Sequence, residues 1–509
     1  MSETATQIDI QADIQADTQA AIHAATQAAP PPEPASVLFA LFEAQYQASR
    51  IQVDVPLKLR RDRLSRLSLL LDANADALCA AVHADFGVRS PSLTQVADLF
   101  VLRNELRHAK RHLKQWMRPQ SVTTPFYLWP SSAQVQRQPL GVVGVISPWN
   151  YPLQLAFGPA MSAMAAGNRV MLKPSEFVPR TSELMAELVG KAFAPEEFAV
   201  VLGGADVAAA FSSLPFDHLF FTGSTRVGRV VAQAAAANLT PTTLELGGKS
   251  PCIVDASCDV AAVALKIAHG KLLNAGQTCI APDYLLLPRG QEEAFAKAFS
   301  QAVVKLFPRI AGNPDYAAIV NPQQHQRLQD LLADAEAQGA RVERIYPDTG
   351  PAFTSGEAGM PVDRQMPPTL VFGVNDHMRL LREEIFGPIL PVIPYDSLDE
   401  AIAHINARPR PLALYWFGQS RRNRDQVLAQ TVSGGVTVND TLVHFAHENL
   451  PFGGVGESGW GSGHGEAGFL RFSQQKPVLM QSRFGGGGLF YPPYGAGLAR
   501  AIRWMRKLG

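Results

Sequence analysis

The chain has 509 residues, 47% hydrophobic and 18% charged, with 45 Lys and Arg against 45 Asp and Glu. That length exceeds what one hydrophobic core fills, so two or more domains are expected, and the apolar content excludes an intrinsically disordered chain. Balanced charge excludes a global field that would gather nucleic acid or an anionic membrane.

Residues 1–36 repeat themselves (Ile8-Asp-Ile-Gln-Ala-Asp-Ile-Gln-Ala-Asp17), turn Ala-rich and end in Pro30-Pro-Pro-Glu-Pro34, which predicts a disordered tail or a frayed helix. The start Met1-Ser-Glu lacks a basic region followed by an apolar stretch, so no secretory signal is expected. From Val37 to Trp116, apolar residues recur at helical spacing, as at Leu64, Leu67, Leu71, Ala75 and Leu78. Residues 138–168 carry no charge, yet Pro139, Pro148, Pro152 and Pro159 would break a lipid-exposed helix. A buried strand, a turn and a small-residue helix are expected there instead.

Strands and helices then alternate. Strands are predicted at Val142–Ile146, Arg169–Lys173, Ala199–Leu202, His218–Phe221 and Thr242–Leu246, with helices between them such as Arg226–Asn238. A second alternating region, about 250–433, has strands near Tyr284–Leu287, Thr369–Phe372, Ile389–Ile393 and Leu412–Phe417. The fold class is therefore α/β: two αβ domains with parallel sheets and a cleft between them. Cys79, Cys252, Cys258 and Cys279 form no CxxC pair, which suits a reducing cytoplasm.

Cys279 lies in Asn274-Ala-Gly-Gln-Thr-Cys-Ile-Ala-Pro282, a small-residue loop that leaves a thiol sterically open. Glu245, in Leu244-Glu-Leu-Gly-Gly-Lys-Ser-Pro251, ends a strand beside Gly247-Gly248, where a carboxylate can face a cleft. A thiol that holds an acyl group and a base that activates water suffice for acyl chemistry. Other readings exist: a free cysteine is often a small buried hydrophobe, Glu245 could pair with Lys249, and Asn150 in Ser147-Pro-Trp-Asn-Tyr-Pro152 could be a turn residue. Gly276, Gln277 and Thr278 are poor core residues, which counts against inert packing for Cys279.

These three runs resemble the aldehyde dehydrogenase superfamily. So do Lys173-Pro-Ser-Glu176, Phe221-Thr-Gly-Ser-Thr225, Glu384-Ile-Phe-Gly-Pro388 and Leu450-Pro-Phe-Gly-Gly454, in the family's order, from about Val37 to Val478. The run Pro148-Trp-Asn-Tyr-Pro152 looks like the class 3 branch. The stretches 270–283 and 434–441 look closest to bacterial coniferyl aldehyde dehydrogenases. The resemblance implies a Rossmann-like NAD-binding domain (37–120 and 141–247) and a catalytic domain (248–454). It also implies an oligomerisation extension (121–140 and 470–485) that supports a homodimer or higher homo-oligomer, with 486–509 left as a C-terminal tail.

The implied reaction is NAD(P)-dependent oxidation of an aromatic or aliphatic aldehyde, coniferaldehyde among them, to the acid. Cys279 would form a thiohemiacetal and then a thioester, Asn150 and the Cys279 backbone N–H would hold the oxyanion, and Glu245 would activate the hydrolytic water. A carboxylate at Glu245 argues for water as acyl acceptor rather than coenzyme A or phosphate. No GxGxxG occurs between residues 141 and 247; Gly223, Ser224 and Gly228 open a helix after a strand, where free N–H groups favour a diphosphate. By resemblance Lys173 and Glu176 hold the adenosine ribose, with NAD favoured over NADP, and Glu384 and Phe386 lie on the nicotinamide side. A cofactor-independent cysteine esterase or hydrolase, or a non-catalytic structural protein, leaves these residues without a purpose.

His444 and His447 are too few for a metal site, and no metal is expected. In the run 453–465, Trp460 stands where the related pattern has methionine and Gly463 where it has tyrosine. The tail is basic at Arg500, Arg503, Arg506 and Lys507 with Leu498, Ile502 and Met505 on one face, a weak membrane-surface pattern.

Overall fold

Strands with unbroken apolar runs can only be satisfied by burial on both faces. Val142–Ile146 and Arg169–Lys173 are buried at every position. The computed structural model describes residues 33–347, 364–484 and 490–506, without side chains for 33–35. The repetitive segment 8–17 lies outside the described residues. A helix, Glu33–Ile51, begins within the last residues assigned to the tail, so the tail ends earlier than composition suggested.

Two sheets position the site. The first has six strands in the order Gly459–Trp460, Thr242–Leu246, His218–Gly223, Val142–Ile146, Arg169–Lys173, Phe198–Val200. All pairings are parallel except that of Gly459–Trp460, which sets Gly459 opposite Glu245. The chain winds outward from Val142–Ile146 in one direction and then returns to its other side at His218–Gly223. Such a reversal opens a crevice at the carboxyl ends of the strands. The runs that follow those ends include Ser147–Asn150, Ser224 and Gly247.

The second sheet has seven strands, ordered Arg341–Arg344, Thr369–Phe372, Ile389–Tyr395, Tyr284–Pro288, Pro251–Val254, Ala413–Phe417, Gly435–Val438, with only the first antiparallel. A third sheet pairs Gln120–Val122 with Ser132–Pro139 and the latter with Ser473–Met480, all antiparallel.

The charge-free stretch forms the strand Val142–Ile146 and the helix Gln154–Ala165, almost wholly buried, with Pro159 inside. Expected strand limits hold to within two residues, and the expected helix Arg226–Asn238 is Thr225–Ala237. Three short strands escaped sequence reading: Arg341–Arg344, Gly435–Val438 and Gly459–Trp460. Among the described residues no single helix is long and apolar enough to cross a membrane; the helices Leu57–Ala73 and Ala75–Phe86 pass such a test only as a pair bent by 67°.

Candidate active site

The loop that carries Cys279 departs from regular structure. Asn274 and Ala275 adopt left-handed φ of 52° each, and Gly276 follows at 76°. Two non-glycine residues in that region store strain that only a tight surround maintains. A Cβ on Gly276 would collide with the Gly387 carbonyl, so glycine is required there.

Gln277 and Thr278 are buried, contrary to their reading as poor core residues, because every polar group finds a partner. Gln277 Nε2 donates to Asn274 O and Ala318 O, both at 3.0 Å, and its Oε1 accepts from Val320 N at 2.9 Å. Thr278 Oγ1 meets the Tyr151 hydroxyl at 2.6 Å. From Asn274 to Ile280, only Cys279 keeps partial exposure.

Asn150 approaches this loop from the end of Val142–Ile146. Its Nδ2 donates to Gln277 O at 3.1 Å, and its carbonyl accepts from Asn274 Nδ2 at 3.1 Å and Arg89 Nη1 at 2.6 Å. Arg89 in turn pairs with Asp98 at 2.7 Å, both side chains fully buried, and Asp98 Oδ1 accepts from the backbone N–H of Leu153 and Gln154. This buried ion pair fixes the Asn150 turn. It escaped sequence reading because Arg89 and Asp98 look like ordinary surface charges.

Glu245 is buried at the end of Thr242–Leu246. Thr222 Oγ1 donates to its Oε2 at 3.3 Å, while Oε1 has no hydrogen-bond partner. Burial raises its carboxyl to about 7. It does not pair with Lys249, whose ammonium is held by Asp283 and by the carbonyls of Leu380 (2.8 Å) and Glu383 (3.0 Å). The Cys279 thiol is pushed well above its ordinary value by burial and then by Glu245 and Glu384; the backbone N–H groups of Cys279 and Ile280 oppose this.

A cleft of about 930 Å³ runs past these groups. Of the ten residues singled out in the sequence, seven line it: Asn150, Gly223, Ser224, Glu245, Cys279, Glu384 and Phe386. Ser224 caps the helix Thr225–Ala237, its Oγ accepting from Val227 N at 3.4 Å. A Cβ on Gly223 would lie 2.6 Å from the Phe221 ring. The Glu384 carboxylate lies over Gly247, where any Cβ would strike it; its Oε1 is buried and unpartnered, and burial followed by Asp283 raises it to about 8. Arg327 holds the backbone of that loop through Glu384 O (3.2 Å) and Ile385 O (2.6 Å). Phe386, at φ 53°, sets its ring edge-on to Trp149, with centroids 5.4 Å apart.

Lys173, Glu176 and Gly228 do not line the cleft. Lys173 Nζ is buried against Pro174 O (2.9 Å) and Glu176 Oε2 (3.3 Å), with Glu176 itself exposed. A Cβ on Gly228 would lie 2.6 Å from Leu246, so this glycine lets the helix pack on the sheet. The residues fit a dinucleotide: an accessible helix N-terminus and an orphaned buried carboxylate at the far side of one cleft. Among the described residues, no group of three or more His, Cys, Asp and Glu converges on a point; His444 Nδ1 meets Thr437 Oγ1 at 2.7 Å.

The sequence pattern of the aldehyde dehydrogenase family matches residues 6–478. A probable coniferyl aldehyde dehydrogenase of Pseudomonas aeruginosa is 47% identical over 465 residues, covering 91% of this chain and 95% of that one. A coniferyl aldehyde dehydrogenase of a Pseudomonas species is 46% identical with the same coverage. Among solved structures, a substrate-bound aldehyde dehydrogenase of Staphylococcus aureus superposes with a TM-score of 0.83 at 34% identity, covering 91% of this chain and 98% of that one. Indole-3-acetaldehyde dehydrogenase of P. syringae, solved with NAD+, gives 0.78 at 27% identity, covering 88% and 89%. The chain belongs to the aldehyde dehydrogenase family, an oxidoreductase that takes an aldehyde to its acid with a nicotinamide cofactor.

Proposed function

We propose that Cys279 is the nucleophile, Asn150 the oxyanion donor and Glu245 the hydrolytic base of this oxidation, with an aromatic aldehyde such as coniferaldehyde as substrate. The observation that carries the site reading is the convergence of a partly exposed thiol, a buried amide and a buried carboxylate with one unpartnered oxygen on a single cleft. The substrate class rests on the two relatives named for coniferyl aldehyde.

The Cys279 thiol gives up its proton to water in the cleft, Sγ bonds to the carbonyl carbon and the C=O π pair moves onto oxygen, forming a thiohemiacetal as its oxyanion. One Asn150 amide hydrogen is held by Gln277 O, which aims the other at the new oxyanion beside the Cys279 backbone N–H. A bound nicotinamide supplies the hydride acceptor. Once the carbon is oxidised, the acyl group remains on Cys279 as a thioester. Glu245 takes a proton from water, the water oxygen attacks, and the acid leaves with the sulfur free again.

Gly223 and Ser224 would receive the diphosphate, with Gly228 seating their helix. Lys173 and Glu176 would take the adenosine ribose, and Glu384 with Phe386 the nicotinamide side. NAD is favoured over NADP because the Glu176 carboxylate would repel a 2′-phosphate. The walls correspond to a cofactor domain (37–120 with 141–247) and a catalytic domain (248–454). The sheet of Gln120–Val122, Ser132–Pro139 and Ser473–Met480, within the extension 121–140 and 470–485, would join subunits into a homodimer or higher homo-oligomer, since Leu479 and Met480 on its edge strand are exposed. A cytoplasmic setting keeps the four free cysteines reduced.

NADH absorbance measured with coniferaldehyde and with an aliphatic aldehyde, beside Cys279→Ala, tests this reading. NADH should form fastest with coniferaldehyde and NAD, and vanish in the variant. NADH formation that survives in Cys279→Ala would overturn the assignment of the nucleophile, and equal rates with NADP would overturn the cofactor preference.

A further inference from the structure

A second, small cavity of about 20 Å³ adjoins Glu245, large enough for about one water molecule. Glu245, Gln154, Gly158 and His464 are among the residues that line it. Four buried polar atoms at or beside this cavity have no hydrogen-bond partner: Glu245 Oε1, Gln154 Oε1, Glu105 Oε1 and His464 Nδ1. Orphans of this kind are costly and rare, and several around one water-sized space indicate that the space serves them.

Glu105 comes from the helix Val101–Trp116, Gln154 from the start of Gln154–Ala165, and His464 from the glycine run after Trp460. The Glu105 carboxylate and the Gln154 amide converge over Gly158, where an ideal Cβ would lie 3.4 Å from Glu105 Oε2 and 3.5 Å from Gln154 Nε2. His464 Nε2 stands 3.5 Å from Glu105 Oε1, and its side chain is 12% exposed against 4% for Glu105. Glu245 and His464 thus both line the cavity, Glu105 lies beside it within reach of His464, and His464 is the most exposed of the group.

We propose that Glu105, with Gln154 and His464, is a proton outlet for Glu245 through a single water in this cavity. The inference rests on the assignment of Glu245 as hydrolytic base. Each turnover leaves Glu245 with a proton that it must lose before the next. The bridging water accepts that proton while passing one of its own to the Glu105 carboxylate, so Glu245 is again an anion and the water is unchanged. Glu105 then yields its proton to the neutral His464 ring at Nε2, and the imidazolium releases it to solvent. Gln154 orients the water and Glu105; Glu105 and His464 are positioning residues that act through Glu245.

The charges around the relay give Glu105 a higher proton affinity than Glu245, so it draws a proton from Glu245 and returns to a carboxylate as pH rises through about 8. Burial first, then Glu448 and Glu245, raise Glu105 to about 8, and a hydrogen bond with Gln154 opposes them. Burial and then His444 lower His464 to about 4, so it hands its proton on rather than keeping it.

Two variants test the outlet. Glu105→Gln keeps the side chain's size but cannot carry the proton. Gly158→Ala places a methyl at ordinary contact distance in the cavity, and alanine in a helix favours the fold. With the purified enzyme, NAD and coniferaldehyde, the first burst of NADH should keep its amplitude and rate in both variants. Steady-state turnover should fall by about tenfold or more, show a larger solvent deuterium effect than the parent, and rise with buffer concentration. Wild-type turnover and an unchanged isotope effect in both variants would overturn the proposal, as would a burst lost together with turnover, the mark of a structural role. Glu245→Gln, run alongside, tests the base itself: wild-type turnover there would reject the Glu245 assignment whatever the other variants do.

Discussion

The two ends of the cleft are built on opposite principles. At Gly223–Ser224 a regular strand runs into a regular helix, Ser224 is exposed, and the polar groups stay near water. Around Cys279 the backbone is left-handed at three consecutive residues, Gln277 is fully buried, and the titratable groups are stripped of solvent. Binding a charged, detachable cofactor asks for an approachable backbone, whereas chemistry on a carbonyl asks for groups whose positions and proton affinities are fixed beforehand. The first is made by secondary structure alone. The second needs tertiary contacts that hold the chain in conformations it would otherwise leave.

That contrast is broken most directly at Glu245. Glu245→Gln should lower kcat by ~10²–10⁴ while leaving the NADH burst in place. With Glu245 as the proposed base, kcat of the parent enzyme should rise as pH passes through about 7 and be lost below it. Because Glu245 helps hold the thiol protonated, the variant should also move the pH midpoint of Cys279 alkylation downward. An unmoved midpoint would sever the electrostatic link between the two residues.

The two turn glycines sharpen the comparison next. Gly276→Ala needs an alanine at φ 76° against the Gly387 carbonyl, and should cost on the order of 3 kcal/mol in a denaturant titration. Gly223→Ala meets only the edge of a phenyl ring and should mainly raise KM for the cofactor. Equal stability losses would mean that the two ends are not differently constrained. The smallest effect is expected at Glu176, exposed and off the cleft. Glu176→Gln should improve the use of NADP severalfold relative to NAD without altering thermal stability.

Legibility in the sequence follows the same division. Val142–Ile146, Arg169–Lys173 and Thr242–Leu246 were readable to the residue: the first is an uninterrupted apolar run, and the other two carry apolar or β-branched residues within an alternation of strands and helices. The Cys279 and Glu245 runs stood out by residue type and by family resemblance. The left-handed Asn274 and Ala275 could not be foreseen, since neither residue type demands that conformation. Glu105 sits in Val101–Trp116, a helix dense with charge, where one buried carboxylate looks like its solvated neighbours. His464 lies in a glycine run noted only for its departures at Trp460 and Gly463. What escaped reading was in each case decided by elements distant in the chain.

The upward push on the Cys279 sulfur has one further consequence. Peroxide attacks thiolates and leaves thiols largely alone. Burial and the two neighbouring carboxylates therefore work against oxidation of the idle enzyme without a lid or a disulfide partner, and peroxide inactivation should quicken as pH is raised.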